Sequence, residues 1–265
     1  MNMNEKKQKF IQITDTHLFS NKDGELLGMN TQASLDSVLE CIENEEDDFD
    51  FFLCTGDLSQ DGSVSSYNRF KTNLSKLGKE QFWLPGNHDN LQNMRNASNN
   101  CEIQSVLNLG KWQIVLLNTQ VQGTVFGQLA EEELILLEQA LSVEPKLYTL
   151  VAMHHHLQNV NCEWLDTQKI KNGHELLKIV SKYNNVRVLL CGHVHQESDE
   201  SRENLRFIST PSTCFQFKPQ SDSFALDSLG PGYRWVELYG NGRINTGVRR
   251  SKNFYYDIKN TTSGY

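Results

Sequence analysis

Trp83-Leu84-Pro85-Gly86-Asn87-His88-Asp89 is the stretch on which the reading of this chain turns. Residues 81–84 form a short apolar run, and Pro85-Gly86 ends it with turn chemistry. Directly after the turn come an amide, an imidazole and a carboxylate, presented at the tip of a predicted strand. The arrangement recurs. The run 10–14 leads into Asp15-Thr16-His17, and 51–55 into Gly56-Asp57. The run 147–153 leads into His154-His155-His156, and 186–191 into Gly192-His193-Val194-His195. Five apolar strands that each end in metal-ligand chemistry describe a frame built around one metal site.

Spacing supports that reading. Asp15 and His17 are one residue apart, as are His193 and His195. Positions i and i+2 of an extended chain point the same way, so each pair can face one ion. Gly56 permits a sharp backbone turn that leaves the Asp57 carboxylate at the strand tip. Asn87 offers a neutral carbonyl oxygen, suited to a divalent ion in mixed nitrogen and oxygen coordination.

Outward from these tips the chain reads as alternating strand and helix, an α/β pattern. Leu35, Val38, Leu39 and Ile42 recur at i, i+3, i+4 and i+7, which predicts an amphipathic helix over 31–45. Tyr67, Phe70, Leu74 and Leu77 predict another over 64–77, stopped by Gly78. Residues 91–108 are polar and Asn-rich and read as a short helix and a loop, before a buried strand over 112–117. Leu134, Leu137 and Leu141 predict a helix over 131–141 with Glu138 on its outer face, and a further helix is expected over 174–183. The remainder is β-rich, with strands over 205–209, 233–239 and 243–248 and a hairpin-type turn at Asn241-Gly242. No repeat or linker-like change of composition interrupts the 265 residues, so one domain is expected over 1–265.

The formal charge is −8 and no Lys/Arg-rich tract stands out, which argues against a nucleic-acid groove or an anionic-membrane face. Bound metal ions reverse charge locally, so an anionic substrate stays open. Residues 1–9 lack the apolar core of a signal peptide, and no run approaches the roughly 18 apolar residues of a membrane span. The six cysteines, including Cys101, are widely spaced and contain no C-x-x-C pair. A cytoplasmic protein without disulfides is the expectation, in which the N-x-S/T matches at Asn73, Asn96 and Asn260 are inert.

In order and in placement at strand ends, Asp15-Thr16-His17, Gly56-Asp57, Gly86-Asn87-His88-Asp89, the His154 segment and Gly192-His193-Val194-His195 resemble the calcineurin-like metallophosphoesterases. The tail, Thr210-Pro211-Ser212-Thr213-Cys214-Phe215-Gln216-Phe217-Lys218-Pro219 with Pro231-Gly232-Tyr233-Arg234, is similar to that of the bacterial class III 3',5'-cyclic AMP phosphodiesterases. The resemblance implies two mixed β-sheets packed as a sandwich with flanking helices, and two divalent ions bridged by one carboxylate. Carried onto this chain, it implies Asp15, His17, Asp57 and His195 around one ion. Asp57, Asn87, His154 and His193 would surround the other, with Asp57 bridging. Iron or manganese is expected, and zinc or cobalt also suits the ligands. His154 is taken over His155 and His156 as the first histidine after its strand; Leu157 stands where the family usually has proline.

The implied reaction is hydrolysis of cyclic AMP to 5'-AMP by a hydroxide that bridges the two ions. Substrate would lie over His17, Asp57, Asn87, His88, His154 and His195. His88 would contact phosphate and protonate the leaving group, with its side chain pointing away from Asn87 toward the open face. Asp89 would orient His88 or cap the following segment. The partner implied is a small molecule, with no nucleic acid or membrane, and the protein a monomer or homodimer. Two other functions share parts of this reading. One is a metallophosphoesterase acting on a different phosphodiester or a phosphomonoester, since the ligands do not encode the leaving group. The other is a non-catalytic scaffold. Blander roles are expected for the remaining residues: His174 as an ordinary exposed histidine, one of His155 and His156 as an outer partner of a ligand, and Thr213 and Gln216 in a turn or a nucleotide pocket. Phe215 and Phe217 alternate as in a half-buried strand, with core packing expected ahead of base stacking.

Overall fold

Strand and helix alternate through most of this computed structural model, which describes residues 7–46, 48–99, 102–252 and 254. The readings placed on residues 1–6, Cys101 and Asn260 lie outside that set. First in the chain come β1 (Lys7–Ile13), the ribbon β2 (Glu25–Leu26) and β3 (Met29–Asn30), α1 (Thr31–Glu45), β4 (Phe51–Thr55), α2 (Val64–Ser75), β5 (Glu80–Leu84) and α3 (Leu91–Ser98). Next are β6 (Val106–Leu109), β7 (Trp112–Leu117), α4 (Glu131–Val143), β8 (Tyr148–Met153), α5 (Glu163–Asp166), α6 (Gly173–Val180) and β9 (Val186–Cys191). Six strands complete the chain: β10 (Ser198–Arg202), β11 (Leu205–Ser209), β12 (Gln216–Phe217), β13 (Leu226–Asp227), β14 (Gly232–Tyr239) and β15 (Ile244–Arg250).

The main strands form two mixed sheets, in the orders β15-β14-β1-β4-β5 and β10-β11-β9-β8-β7-β6. β1, β4 and β5 run parallel, and so do β7, β8 and β9. Parallel neighbours need a crossover, which the intervening helices supply. Alternate residues of each central strand enter different cores. Phe10, Phe51, Leu53, Leu116, Leu150 and Leu190 meet between the sheets. Ile11, Ile13, Phe52 and Cys54 pack instead against residues of α1 and α2. Val115, Val151 and Met153 do the same with α4 and α6. Burial on both faces is why these strands read as continuous apolar runs. Each such Leu, Ile or Phe contributes about 1.5–3 kcal/mol by leaving water.

The sandwich with flanking helices is the architecture the resemblance implied. Two strands of the main sheets escaped the sequence reading. β6 lies within the segment read as helix and loop, and pairs only with β7. β10, Ser-Asp-Glu-Ser-Arg, is largely exposed and pairs only with β11. Both are edge strands held by one ladder, so neither needs the apolar alternation by which a strand is recognised. Helix starts follow local chemistry: the side chains of Asn30, Ser63 and Asn90 accept from the backbone N–H groups of Ala33, Ser66 and Asn93.

Candidate metal centre

The loops that follow β1, β4, β5, β8 and β9 meet at one end of the sandwich, the carboxyl end of the parallel strands, where α/β folds place their sites. Backbone bonds lock them together. Asp15 N donates to Gly56 O (3.0 Å), His17 N to Asp57 O (2.9 Å) and Gly192 N to His154 O (3.1 Å). Asp15, His17, Asp57, His193 and His195 all have left-handed backbone, with φ of 55°, 47°, 50°, 65° and 47°. Non-glycine residues adopt that region seldom, and its concentration here marks a functional site. Asp15 and His17 are thus brought together, but not by the strand alternation expected of them. β1 ends at Ile13, and left-handed turns beyond it aim both side chains inward. Close packing also demands two glycines: a methyl on Gly56 would overlap the His154 ring, and one on Gly86 the Asp57 carboxylate.

The imidazoles are oriented from behind. His154 Nδ1 lies 2.8 Å from Thr55 O, and His195 Nδ1 2.9 Å from Phe215 O. A carbonyl only accepts, so both Nδ1 atoms carry a proton and donate it. His17 Nδ1 lies 2.6 Å from Gln60 Oε1 and donates to it in the same way. All three Nε2 atoms then turn toward a common space. His17 Nε2 is 3.3 Å from His195 Nε2, and His195 Nε2 is 3.4 Å from Asp15 Oδ1. His154 Nε2 is 3.3 Å from Asp57 Oδ2 and 3.2 Å from Asn87 Oδ1, while His17 Nε2 is 4.0 Å from Asp57 Oδ2. The other carboxylate oxygens are anchored. Asp15 Oδ2 accepts from Thr14 Oγ1 (2.7 Å) and His193 N (3.0 Å), and Asp57 Oδ1 from His88 N (2.8 Å).

These residues fit metal ions. Ligand atoms of Asp15, His17 and His195 lie within 4.8 Å of one another, as do those of Asp15, Asp57 and His154. Asp15 Oδ1 and His193 Nε2 are buried without a hydrogen-bond partner among the described residues. A cation between facing lone pairs satisfies what no hydrogen bond here does. Imidazole nitrogen, carboxylate oxygen and amide oxygen together suit first-row divalent ions.

Charge follows the same logic. Burial pulls His17 down to about 3, although Asp57 opposes it. Burial and neighbouring imidazoles hold His193 and His155 well below the usual range, as neutral rings. Burial would lower His154 too, but the Asp57 carboxylate outweighs it and raises His154 to about 9. Burial pushes Asp57 up, yet His154 and the other imidazoles bring it well below the ordinary carboxylate range. Without metal, a proton on His154 thus stands where an ion can replace it.

Several neighbours take definite places around the cluster. His88 is half-buried, lines the same cavity as Asn87 and sets its ring 5.1 Å from that of His17. It stands beside the cluster, grouped with His17 and Asp57, and its backbone N–H donates to Asp57 Oδ1. Asp89 does not cap the following helix, whose cap is Asn90; its carboxylate accepts from Gly86 N (2.9 Å), Ser59 N (3.0 Å), Leu58 N (3.2 Å) and Tyr67 Oη (3.0 Å) and ties its loop to the one after β4. Burial, then Asp57, raise it to about 7. Gln216 braces a turn by donating to Ser212 O and Cys214 O, and Thr213 is fully buried. Phe215 is core, stacked 6.1 Å behind His17. His174 is exposed, and Leu157 packs into the outer core in place of the family's proline.

Sequence reasoning left His155 open and missed Gln60 and Thr119 altogether. His155 groups with His154 and His193, bonds Thr119 Oγ1 through Nδ1 (2.8 Å) and has a buried Nε2 without a hydrogen-bond partner among the described residues. His156 stacks 5.8 Å from His193 and lies 3.8 Å from Asp166. Gln60 and Thr119 carry no sequence signal, since each acts through a residue more than thirty positions away.

The family model of the calcineurin-like phosphoesterases matches residues 8–197. A Haemophilus influenzae protein named 3',5'-cyclic adenosine monophosphate phosphodiesterase CpdA is 44% identical over 245 residues, covering 91% of this chain and 89% of its own. A protein of the same name from Escherichia coli K12 is 39% identical over 264 residues, 98% of this chain and 96% of its own. A solved dimetal phosphatase from Danio rerio shares the fold, with a TM-score of 0.64 at 14% identity over 90% of this chain and 98% of its own.

Proposed function

The chain belongs to the calcineurin-like phosphoesterase family, and from that premise we propose that it hydrolyses 3',5'-cyclic AMP to 5'-AMP with two divalent ions. The observation that carries this reading is the convergence of buried Nε2 and carboxylate lone pairs beside His88, in a chain whose near-full-length relatives bear that activity in their names. Asp15, His17 and His195 would hold one ion together with Asp57, and Asn87, His154 and His193 the other, with Asp57 shared. When bound, two such ions supply Lewis acidity for a phosphoryl oxygen and bring a coordinated water to a pKa of about 7.

The chain's own groups do the rest. Asp57 is held by His88 N on one oxygen and turns the other to His17 and His154, so it stays put as charge moves. His88 is the group left half-open beside the cluster, and its imidazole N–H donates to the departing 3' oxygen. Gln60, Thr55 O and Phe215 O keep three imidazoles in one tautomer throughout. We take the ions to be iron or manganese, and the protein to be a cytoplasmic monomer or homodimer. The five free cysteines among the described residues accord with a reducing compartment. No helix among those residues is long and apolar enough to cross a membrane.

The test is turnover of cyclic AMP by protein purified without chelator, with manganese or ferrous iron added, alongside bis-para-nitrophenyl phosphate. Formation of 5'-AMP that chelator abolishes is the expected result. Turnover of the generic diester alone would move the substrate elsewhere in the family. Bound metal with no turnover of either would mean a scaffold.

A further inference from the structure

A cavity of about 100 Å³ opens directly beside the cluster, with Asn87, His88 and His193 on its metal side. Its far side is formed by Trp164, Phe217, Phe224 and Gln168, and no Lys, Arg, Asp or Glu lines it among the described residues. The far wall is continuous with the ligands. Phe217 stacks on His195 at 4.3 Å and 19°, Trp164 meets Phe217 edge-on at 4.8 Å, and Phe224 closes on Trp164 at 5.3 Å. Phe217 is buried and serves as backing, whereas Trp164 and Phe224 are half-buried and keep surface toward the cavity. Trp164 Nε1 is buried and has no hydrogen-bond partner among the described residues.

We propose that Trp164, Phe217 and Phe224 form a purine-base subsite and that Gln168 makes it select adenine over guanine. The inference rests on the cyclic nucleotide reading above and supplies the recognition that the shared metal ligands lack. An uncharged aromatic wall one ring away from His195 suits the neutral end of a nucleotide whose phosphate lies on the cluster. A base is planar and stacks on such rings whatever its sequence of polar edges. Selection needs a polar group as well. One purine edge of adenine presents the N7 acceptor and the N6 donor, while guanine presents two acceptors, N7 and O6. A glutamine amide offers one donor and one acceptor, so it matches adenine and leaves guanine with an unmatched oxygen.

The measurement is kcat and KM for cyclic AMP and cyclic GMP, with inhibition by 5'-AMP and by orthophosphate, in wild type, Trp164→Leu, Trp164→Phe, Gln168→Ala and Gln168→Arg. Gln168→Ala should cut the preference for cyclic AMP roughly tenfold, and Gln168→Arg, with two donors, should shift it further toward cyclic GMP. Trp164→Leu should raise KM for both nucleotides and weaken 5'-AMP roughly tenfold more than orthophosphate, with Trp164→Phe restoring most of the loss. The subsite is overturned if cyclic AMP is turned over but neither Gln168 change moves the preference, or if 5'-AMP and orthophosphate weaken equally. A wild type that cleaves only the generic diester would overturn the cyclic AMP reading, and the subsite with it.

Discussion

The two halves of the proposed metal cluster are built differently. In the half made by Asp15, His17 and His195, each side chain is held from outside, by Thr14 and His193 N, by Gln60 and by Phe215 O. In the half made by Asn87, His154 and His193, only His154 has such a bond among the described residues, to Thr55 O. His193 Nε2 is left bare, and the rings of His154, His155 and His193 crowd within 4.7–5.0 Å of one another. The first half is preorganised by hydrogen bonds, whereas the second sets a His193 ring that burial keeps neutral, its Nε2 unpartnered among the described residues, beside the raised His154. Preorganisation therefore differs across a single shared carboxylate, Asp57.

The largest effect is expected where the halves join. Asp57→Asn removes the shared charge, so both ions should be lost and cyclic AMP turnover should fall to background; metal content by mass spectrometry and a rate assay check this. Retention of two ions per chain would deny Asp57 its shared position. Next in size is His88→Ala, which should retain both ions and lower kcat about 10²- to 10⁴-fold, the usual worth of a general acid. An unchanged rate in that metal-loaded variant would remove His88 from the chemistry. A smaller and one-sided effect is expected from Gln60→Ala. It frees the His17 ring and should weaken one ion about 10- to 100-fold while sparing the other, as competitive chelator titration would reveal. Equal weakening of both would break the distinction between the halves.

The smallest effect concerns protons. His154, raised to about 9 in the metal-free protein, must lose its proton to bind an ion. Apparent metal affinity should therefore rise with pH up to about 9 and then level, with proton release visible by calorimetry in buffers of different ionisation enthalpy. In metal-free protein the same raised value makes a stabilising contribution that is complete below the ordinary histidine value of 6.5 and is lost as pH rises through about 9. Flat affinity between pH 6 and 9 would show that His154 is neutral before metal arrives.

Much of this site was legible in one dimension because both of its signals are local. An apolar run buried on both faces reads as a strand whatever it packs against, and a polar group directly after it lies at the strand tip. That is enough to bring out Asp15, His17, Asp57, Asn87, His154, His193 and His195, together with the helices α1, α2 and α4. Edge strands such as β6 and β10 left no such mark, because one ladder of backbone bonds and a polar surface support them.

What the tertiary structure alone decided concerns contacts between distant parts of the chain. Left-handed turns, not strand alternation, aim Asp15 and His17, because β1 ends before they begin. Gln60 and the carbonyls of Thr55 and Phe215 set the imidazole tautomers, Thr119 holds His155, and Asp89 turned out to staple its loop to the one after β4. The aromatic wall of Trp164, Phe217 and Phe224 comes together from segments more than fifty residues apart. Residue type and spacing carry the chemistry of a ligand set. Orientation, tautomer and the shape of a pocket depend on which atoms meet in space, and the packing of the two sheets supplies that.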